Sequence, residues 1–309
     1  MSANSGLSPN VVKTALDDVF NQEFNRMEQP NIATALTSDI FKQMPVDNAA
    51  YITEVLAGTG YWKSRAEEQD VASSTPISTD KATYAINNYA DSIDISKNMF
   101  DDNLHGTVNK WIETFGNRAR LTRDKTGFGL YRNAFTTTLT ANGTAWISDS
   151  QSTISGSTVD NRLTAGLSTT GLEDAIVMLG EQLAQDGTIV GHTPASLLVP
   201  LKLFKEAVEI TDSQLISDSA NNAINWVSAK YGIKVYTSPF LGAAADGSDT
   251  AWFLMGRFHS GHRFIRQDVT TDLVGYETQR NNNYIYKGEY RETYGAIAYE
   301  GIVGSLGTA

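Results

Sequence analysis

Tyr284-Ile285-Tyr286-Lys287-Gly288-Glu289-Tyr290-Arg291-Glu292-Thr293-Tyr294-Gly295-Ala296-Ile297-Ala298 is the stretch that decides the fold. Tyr284, Tyr286, Tyr290, Tyr294, Ala296 and Ala298 fall on one parity, whereas Ile285, Lys287, Glu289, Arg291 and Thr293 fall on the other. Successive side chains of a strand point to opposite faces, so this reads as one long strand with a tyrosine face and a charged face, packed on one side only. Something long and apolar must lie across the tyrosines. Val108, Trp111, Ile112, Phe115 and Ala119 recur at helical spacing and predict a helix from about Val108 to Ala134. At 1.5 Å per residue it is a rod of about 40 Å. Trp111 is expected to be buried on that face, and Gly127 and Gly129 are expected to bend the helix or end it early.

Outward from this pair, the chain changes character several times. Ser8-Pro9 is a helix start signal, and Val12, Ala15, Leu16, Val19 and Phe20 then define one amphipathic helix to about Met27, ended before Pro30. Residues 49–100 are broken by Gly58, Gly60, the Ser73-Ser74-Thr75-Pro76 cluster and dispersed charges from Lys63 to Asp70. Tyr84 and Ile86 alternate on one parity and Tyr89, Ile93 and Ile95 on the other, with a turn or bulge expected at Asn87-Asn88. Such a polar two-stranded projection has no second apolar layer, and an isolated hairpin is marginal in water. Tyr84, Ile86, Tyr89 and Ile93 are therefore expected to find cover on another subunit. Residues 136–170 read as Ser/Thr/Gly-rich surface loops with one apolar island, Ala145-Trp146-Ile147. From Leu172 to Leu254 the pattern is mixed α/β. Leu172, Ala175, Ile176, Leu179 and Leu183 mark a helix, Ser196-Leu197-Leu198-Val199 a buried strand closed by Pro200, and Leu203, Ala207 and Val208 a further helix. Ile233–Tyr236 and Ala251–Leu254 complete the set as strands.

The composition narrows the function. Lys and Arg number 24 against 35 Asp and Glu, giving a net charge of −11, so most of the surface repels a phosphate backbone. Arg118, Arg120, Arg123 and Lys125 are a candidate local basic patch, and a solvated helix face with Glu113 and Asp124 interspersed is the simpler reading of it. Charged residues make up 19%, below the usual quarter, as suits a surface spent on subunit contacts. The absence of cysteine excludes disulfides, thiolate metal sites and cysteine nucleophiles. The first residues carry no signal-peptide pattern, and no apolar run approaches a membrane span. No HExxH, P-loop, GxSxG or dinucleotide fingerprint occurs, and Gly58-Thr59-Gly60 is a loop. His259 and His262 would need a third metal ligand, for which only Asp268 is near, so they read as ordinary surface or interface histidines. Asp17-Asp18, Glu67-Glu68 and Asp101-Asp102 are adjacent pairs whose side chains point apart. No catalytic, cofactor-binding or metal-ligating residue is assigned, and no cofactor.

The order of the pieces resembles the major capsid proteins of tailed bacteriophages, in particular the Mu-like head subunit type. The resemblance spans nearly the whole chain: the helix Pro9–Met27, the step Thr37-Ser38-Asp39, and the aromatic stretch from Tyr51 through Gly60-Tyr61-Trp62-Lys63-Ser64-Arg65. It continues through the polar hairpin to Asp101-Asp102, the turn Asn142-Gly143-Thr144-Ala145-Trp146, the strand and helix from Thr193 to Ala207, and Val235-Tyr236-Thr237-Ser238-Pro239-Phe240. One departure is Asp149-Ser150-Gln151, where relatives often carry a histidine after the glycine turn. The resemblance implies an α+β chain of the tailed-phage major capsid fold, with an N-terminal arm at 1–48 and an extended β-hairpin loop at 49–100. It implies a peripheral domain with a spine helix at 101–162 and 256–309, and a mixed α/β axial domain at 163–255. It further implies no enzyme but a virion shell assembled from hexamers and pentamers in the bacterial cytoplasm, enclosing double-stranded DNA without sequence-specific binding and with no membrane partner. A separate scaffolding protein, a portal and a decoration or cement protein are the implied partners. Some relatives weld their shells by lysine–asparagine bonds; Lys63, Lys81 and Asn281 to Asn283 have the residue types, without an alignment that assigns them. The alternatives are an encapsulin-like nanocompartment, a hydrolase with an unrecognised site, and a surface-layer or tail structural protein.

Overall fold

The computed structural model describes residues 9–27, 29–75, 77–101, 105–213, 225–275 and 283–307. In chain order it begins with helix α1 (Pro9–Phe24), strands β1 (Lys42–Pro45), β2 (Ala50–Ala57), β3 (Ile77–Ala85) and β4 (Asn87–Ser96), and helices α2 (Lys97–Asp101) and α3 (His105–Arg132). Short strands β5 (Gln151–Ser152), β6 (Thr158–Val159) and β7 (Arg162–Leu163) lead to helix α4 (Thr169–Gly180), strand β8 (Pro194–Pro200), and helices α5 (Phe204–Asp212) and α6 (Trp226–Lys230). Strands β9 (Lys234–Ser238), β10 (Trp252–Gly256), β11 (Gly261–Val274), β12 (Asn283–Ala296) and β13 (Ile302–Ser305) complete the chain.

Two larger sheets organise these elements. One has the order β1-β11-β12-β4; the other has the order β7-β13-β10-β8-β9. The tyrosine-faced strand is β12, and its face is covered as the alternation requires. Leu16, Phe20 and Phe24, spaced by four on α1, meet Val108, Ile112 and Phe115 of α3 over Tyr286 and Tyr290. Phe20 lies 5.6 Å from the Phe115 ring and 6.2 Å from that of Tyr286. The first helix thus finds its partner within its own chain; Ser8, the proposed cap, lies outside the described residues. A second core forms where the C-terminal half of α3 reaches both sheets, with Phe41, Phe128, Trp146 and Phe253 all in ring contact with Tyr131. A third packs Leu172, Ala175, Ile176 and Leu179 of α4 against Leu197, Val199, Trp252, Leu254 and Val303. Ser168 caps α4 by accepting from the Gly171 N–H, which accounts for its sharp start.

Several expectations need correction. Trp111 is 40% exposed, because α1 crosses α3 on the side of Gly116 and Arg123 and leaves the tryptophan outside the stripe. Gly127 does not end α3, which continues to Arg132: a Cβ there would stand 2.9 Å from Tyr294, so the glycine lets the helix approach the sheet. The basic cluster is split: Arg118 and Lys125 are exposed, whereas Arg120 and Arg123 are buried. Arg123 is buried over the Phe24 ring at 4.1 Å and donates to the Phe24 carbonyl, while Arg120 is buried beside Asp124. Trp146 and Ile147 are fully buried, because the loop carrying them is pinned by Asn161, which donates to the Trp146 carbonyl and accepts from the Ser148 N–H. His259 is buried, not a surface residue: its Nε2 sits 3.0 Å from the Asp39 carbonyl and its Nδ1 accepts from the Gly261 N–H.

The parity change at Asn87-Asn88 marks a change of sheet. Up to Ala85 the chain pairs with β2, and the Ile86 N–H closes that hairpin on the Ala49 carbonyl. From Asn87 onward it pairs with β12 instead, in continuous register from Asn87↔Glu292 to Ser96↔Asn283. Tyr89 stacks on Tyr290 at 5.1 Å and Ile93 joins the same core, so these two residues are covered by their own subunit.

Candidate functional site

The β2–β3 hairpin stands apart from both larger sheets, and its two ends differ in character. Its root is fastened by three aromatic rings. Tyr51 and Tyr84, directly opposite in the ladder, stack on the buried Phe264 of β11 at 4.7 and 5.0 Å. The Tyr84 hydroxyl donates to the Ala296 carbonyl at 2.7 Å, and burial pushes its pKa up to about 12. Further out, Glu54 and Lys81 pair across the strands at 2.7 Å, both exposed. Lys81 is thereby occupied within the hairpin. Asn281 and Asn282 lie outside the described residues.

Beyond the strands the segment 58–75 forms almost no regular structure. Its base leans on a turn before β8. Asp186 accepts from the Thr188 N–H and hydroxyl and from the Gly60 N–H at 3.0 Å, and the Ile189 N–H donates to the Tyr61 hydroxyl at 3.1 Å. These contacts hold the Asp186 carboxyl below its ordinary range, the hydroxyl bond from Thr188 contributing most. Every residue from 61 to 75 is exposed, including Tyr61 at 71%, Trp62 at 97% and Val71 at 76%. A tryptophan left this open on a loop with no regular structure is an unspent contact, since such residues anchor most protein interfaces. Trp62 was visible in the sequence as an aromatic in a charged run, but nothing local told whether the chain would cover it. The Asp186 anchor was missed, although Asp186-Gly187-Thr188 is a recognisable turn sequence.

The remaining candidates do not assemble a reaction centre. Among the described residues no group of three or more His, Cys, Asp or Glu stands close enough to hold a metal ion, and no helix is long and apolar enough to cross a membrane. His259 and His262 are engaged separately with the backbone carbonyls of Asp39 and Ser260. Burial lowers the pKa of both, that of His259 to about 3.

A long helix and an N-terminal helix laid over a mixed sheet, an α/β unit around the second sheet, and a separate hairpin with an uncovered tip make up a fold of the tailed-phage capsid type. The likeness extends over most of the chain in three solved structures. The capsid of the cyanophage P-SCSP1u aligns with a TM-score of 0.57 at 11% identity, covering 91% of this chain and 90% of that one. A chain of the Microbacterium phage Oxtober96 aligns at 0.52 and 14% identity, covering 91% and 94%. A virus-like particle from Pyrococcus furiosus aligns at 0.52 and 11% identity, covering 94% and 96%. No curated protein matches in sequence. The phage capsid protein family matches residues 79–304, from the third strand of the chain to its last. The chain belongs to that family: it is a capsid shell protein and a component of the virion.

Proposed function

We propose that this capsid protein assembles with itself into hexamers and pentamers that close into the icosahedral head shell around the double-stranded DNA of a phage. The observation that carries the reading is the β2–β3 hairpin: a root locked to its own subunit by Tyr51, Tyr84 and Phe264, and a tip whose Trp62 is 97% exposed. A rigid root with an uncovered aromatic tip suits a loop that lies on the neighbouring subunit. The same division of labour follows along the chain. Residues 1–48 act as the arm and 49–100 as the extended loop, although β4 within that range is laid on β12. Residues 101–162 and 256–309 form the peripheral domain, and 163–255 the axial domain. The charge of −11 suits a wall that confines DNA without gripping it. A scaffolding protein, a portal and a decoration protein would be its partners, and the host cytoplasm its place of assembly. The likeness to a virus-like particle favours, as a second reading, a shell of the same fold without a phage genome; the nucleic acid content of purified shells separates the two.

Limited proteolysis tests the loop directly. Trypsin should cut the free subunit first at Lys63 and Arg65, and these sites should resist once shells have formed. Equal cleavage rates in both states would mean that the loop meets no neighbour, and the inter-subunit role would be lost.

A further inference from the structure

The strand order β7-β13-β10-β8-β9 places β7 and β9 at opposite ends of one sheet, with Ile32 bridged to Thr237 of β9, and the hollows beside the two ends are lined by opposite charge. Beside β7 an open groove of about 520 Å³ is lined by the carboxylates of Asp160, Asp174 and Glu181, with Val177 and Met178 of α4 as its apolar part. Val177 is 55% exposed. Asp174 and Glu181 have no ion-pair partner among the described residues. Arg162, on β7 itself, is not part of the groove lining.

Beside β9 the situation is reversed. A pocket of about 200 Å³ is lined by Lys42, Lys234 and Arg257, with Asp39 as its only carboxylate. Asp39 is already engaged, accepting from Lys234 at 2.8 Å and from the Tyr236 hydroxyl at 2.7 Å. Lys42 and Arg257 are left without an ion-pair partner among the described residues. Burial lowers the pKa of Lys42; the Asp39 carboxylate opposes that shift and the like charge of Arg257 adds to it. Three cations against one carboxylate leave this pocket with an excess of positive charge, and a chain with a net charge of −11 repels its own copies. Both problems are relieved by the same contact. One subunit cannot bring its two hollows together, because its own sheet lies between them. A second copy can present its acidic hollow to the cationic hollow of the first. Such a contact is heterologous: it uses two different surfaces, repeats head to tail, and closes into rings when the rotation allows.

We propose that the acidic groove beside β7 of one copy docks on the cationic pocket beside β9 of the next, and that this contact builds the rings of the shell. Asp174 and Glu181 lie against Lys42 and Arg257, and Val177 supplies the apolar centre between them. The partner is a second copy of this chain, and the inference rests on the shell reading above. Unlike a dimer contact, it makes the ring depend on the parity of its members.

Charge reversal tests it in the full chain. Asp174→Lys with Glu181→Lys, and Lys42→Glu with Arg257→Glu, each place like charges at the contact and should reduce ring and shell mass about tenfold or more at low salt. The four changes combined in one chain restore opposite charges at every contact and should restore shells. Mixing the two double variants restores opposite charges only in alternating order. The mixture should therefore give six-membered rings but no five-membered ones, and hence no closed shells. Circular dichroism checks that each variant is folded; if the Lys42 variant is not, Arg257→Glu alone, at an exposed position, replaces it. Folded double variants that close shells as well as the parent overturn the proposal while leaving the shell reading intact. Failure of the combined variant while the parent assembles overturns it as well. A parent chain that forms no shell under any condition overturns the shell reading first.

Discussion

Trp111 and Phe115 sit one turn apart on α3, yet one is 40% exposed and the other 8%. Phe115→Ala should cost about 3–5 kcal/mol, whereas Trp111→Ala should cost about 1 kcal/mol or less. Thermal or urea unfolding of the two variants checks this, and equal losses would mean that α1 does not cross α3 where it is placed. The spacing of Val108, Ile112 and Phe115 was legible in the sequence. The side of the stripe that α1 would cover was not, because periodicity alone treats the Trp111 and Gly116 flanks alike. The buried polar residues were illegible for a related reason. His259 bonds a carbonyl 220 positions away, and Asn161 bonds carbonyls of Trp146 and Tyr299. His259 also predicts a pH dependence. Burial lowers its pKa from 6.5 to about 3, so between these values the unfolded chain binds a proton that the folded chain refuses. The stability it supports is complete above pH 6.5 and is lost as the pH falls toward 3, approaching about 1.4 kcal/mol per pH unit. His259→Gln should flatten the fall of stability between pH 6 and pH 4. An unchanged slope would show that the ring is not held neutral.

At the scale of elements, the long strand with its tyrosine face and the strand–helix run of the α/β unit could be read from alternation and spacing. The hairpin was legible as a polar projection, but its pairing was not. Which strand lies beside Tyr84 depends on register with residues about 30 positions earlier, and which lies beside Tyr89 on residues near the C-terminus. The root of the hairpin gives the sharpest check at this scale. A Cβ on Gly295 would stand 2.3 Å from the Tyr84 ring. Gly295→Ala should therefore push the tyrosine off Phe264 and cost about 1–3 kcal/mol. Tyr84→Phe keeps the ring and removes only the bond to Ala296, a loss of about 0.5–1.5 kcal/mol. If Gly295→Ala melts like the parent, the hairpin is not anchored through Tyr84, and its reach toward a neighbour is no longer fixed by its root.

For the whole molecule, three features converge: a loop tip that its own chain leaves bare, hollows of opposite charge beside the two ends of one sheet, and a net charge that disfavours gripping nucleic acid. Under the proposed reading each has a role in a closed shell. The low charge content and the missing chemistry hinted at this in the sequence, but the bare tip and the two hollows exist only once distant segments are folded together. Imaging of the purified chain by negative-stain or cryo-electron microscopy, across a range of concentration and salt, tests the central claim most directly. Closed shells or capsomer rings with the hairpin of each subunit lying on its neighbour are the expected result. Single particles of about 34 kDa under every condition, with sedimentation to match, would contradict it.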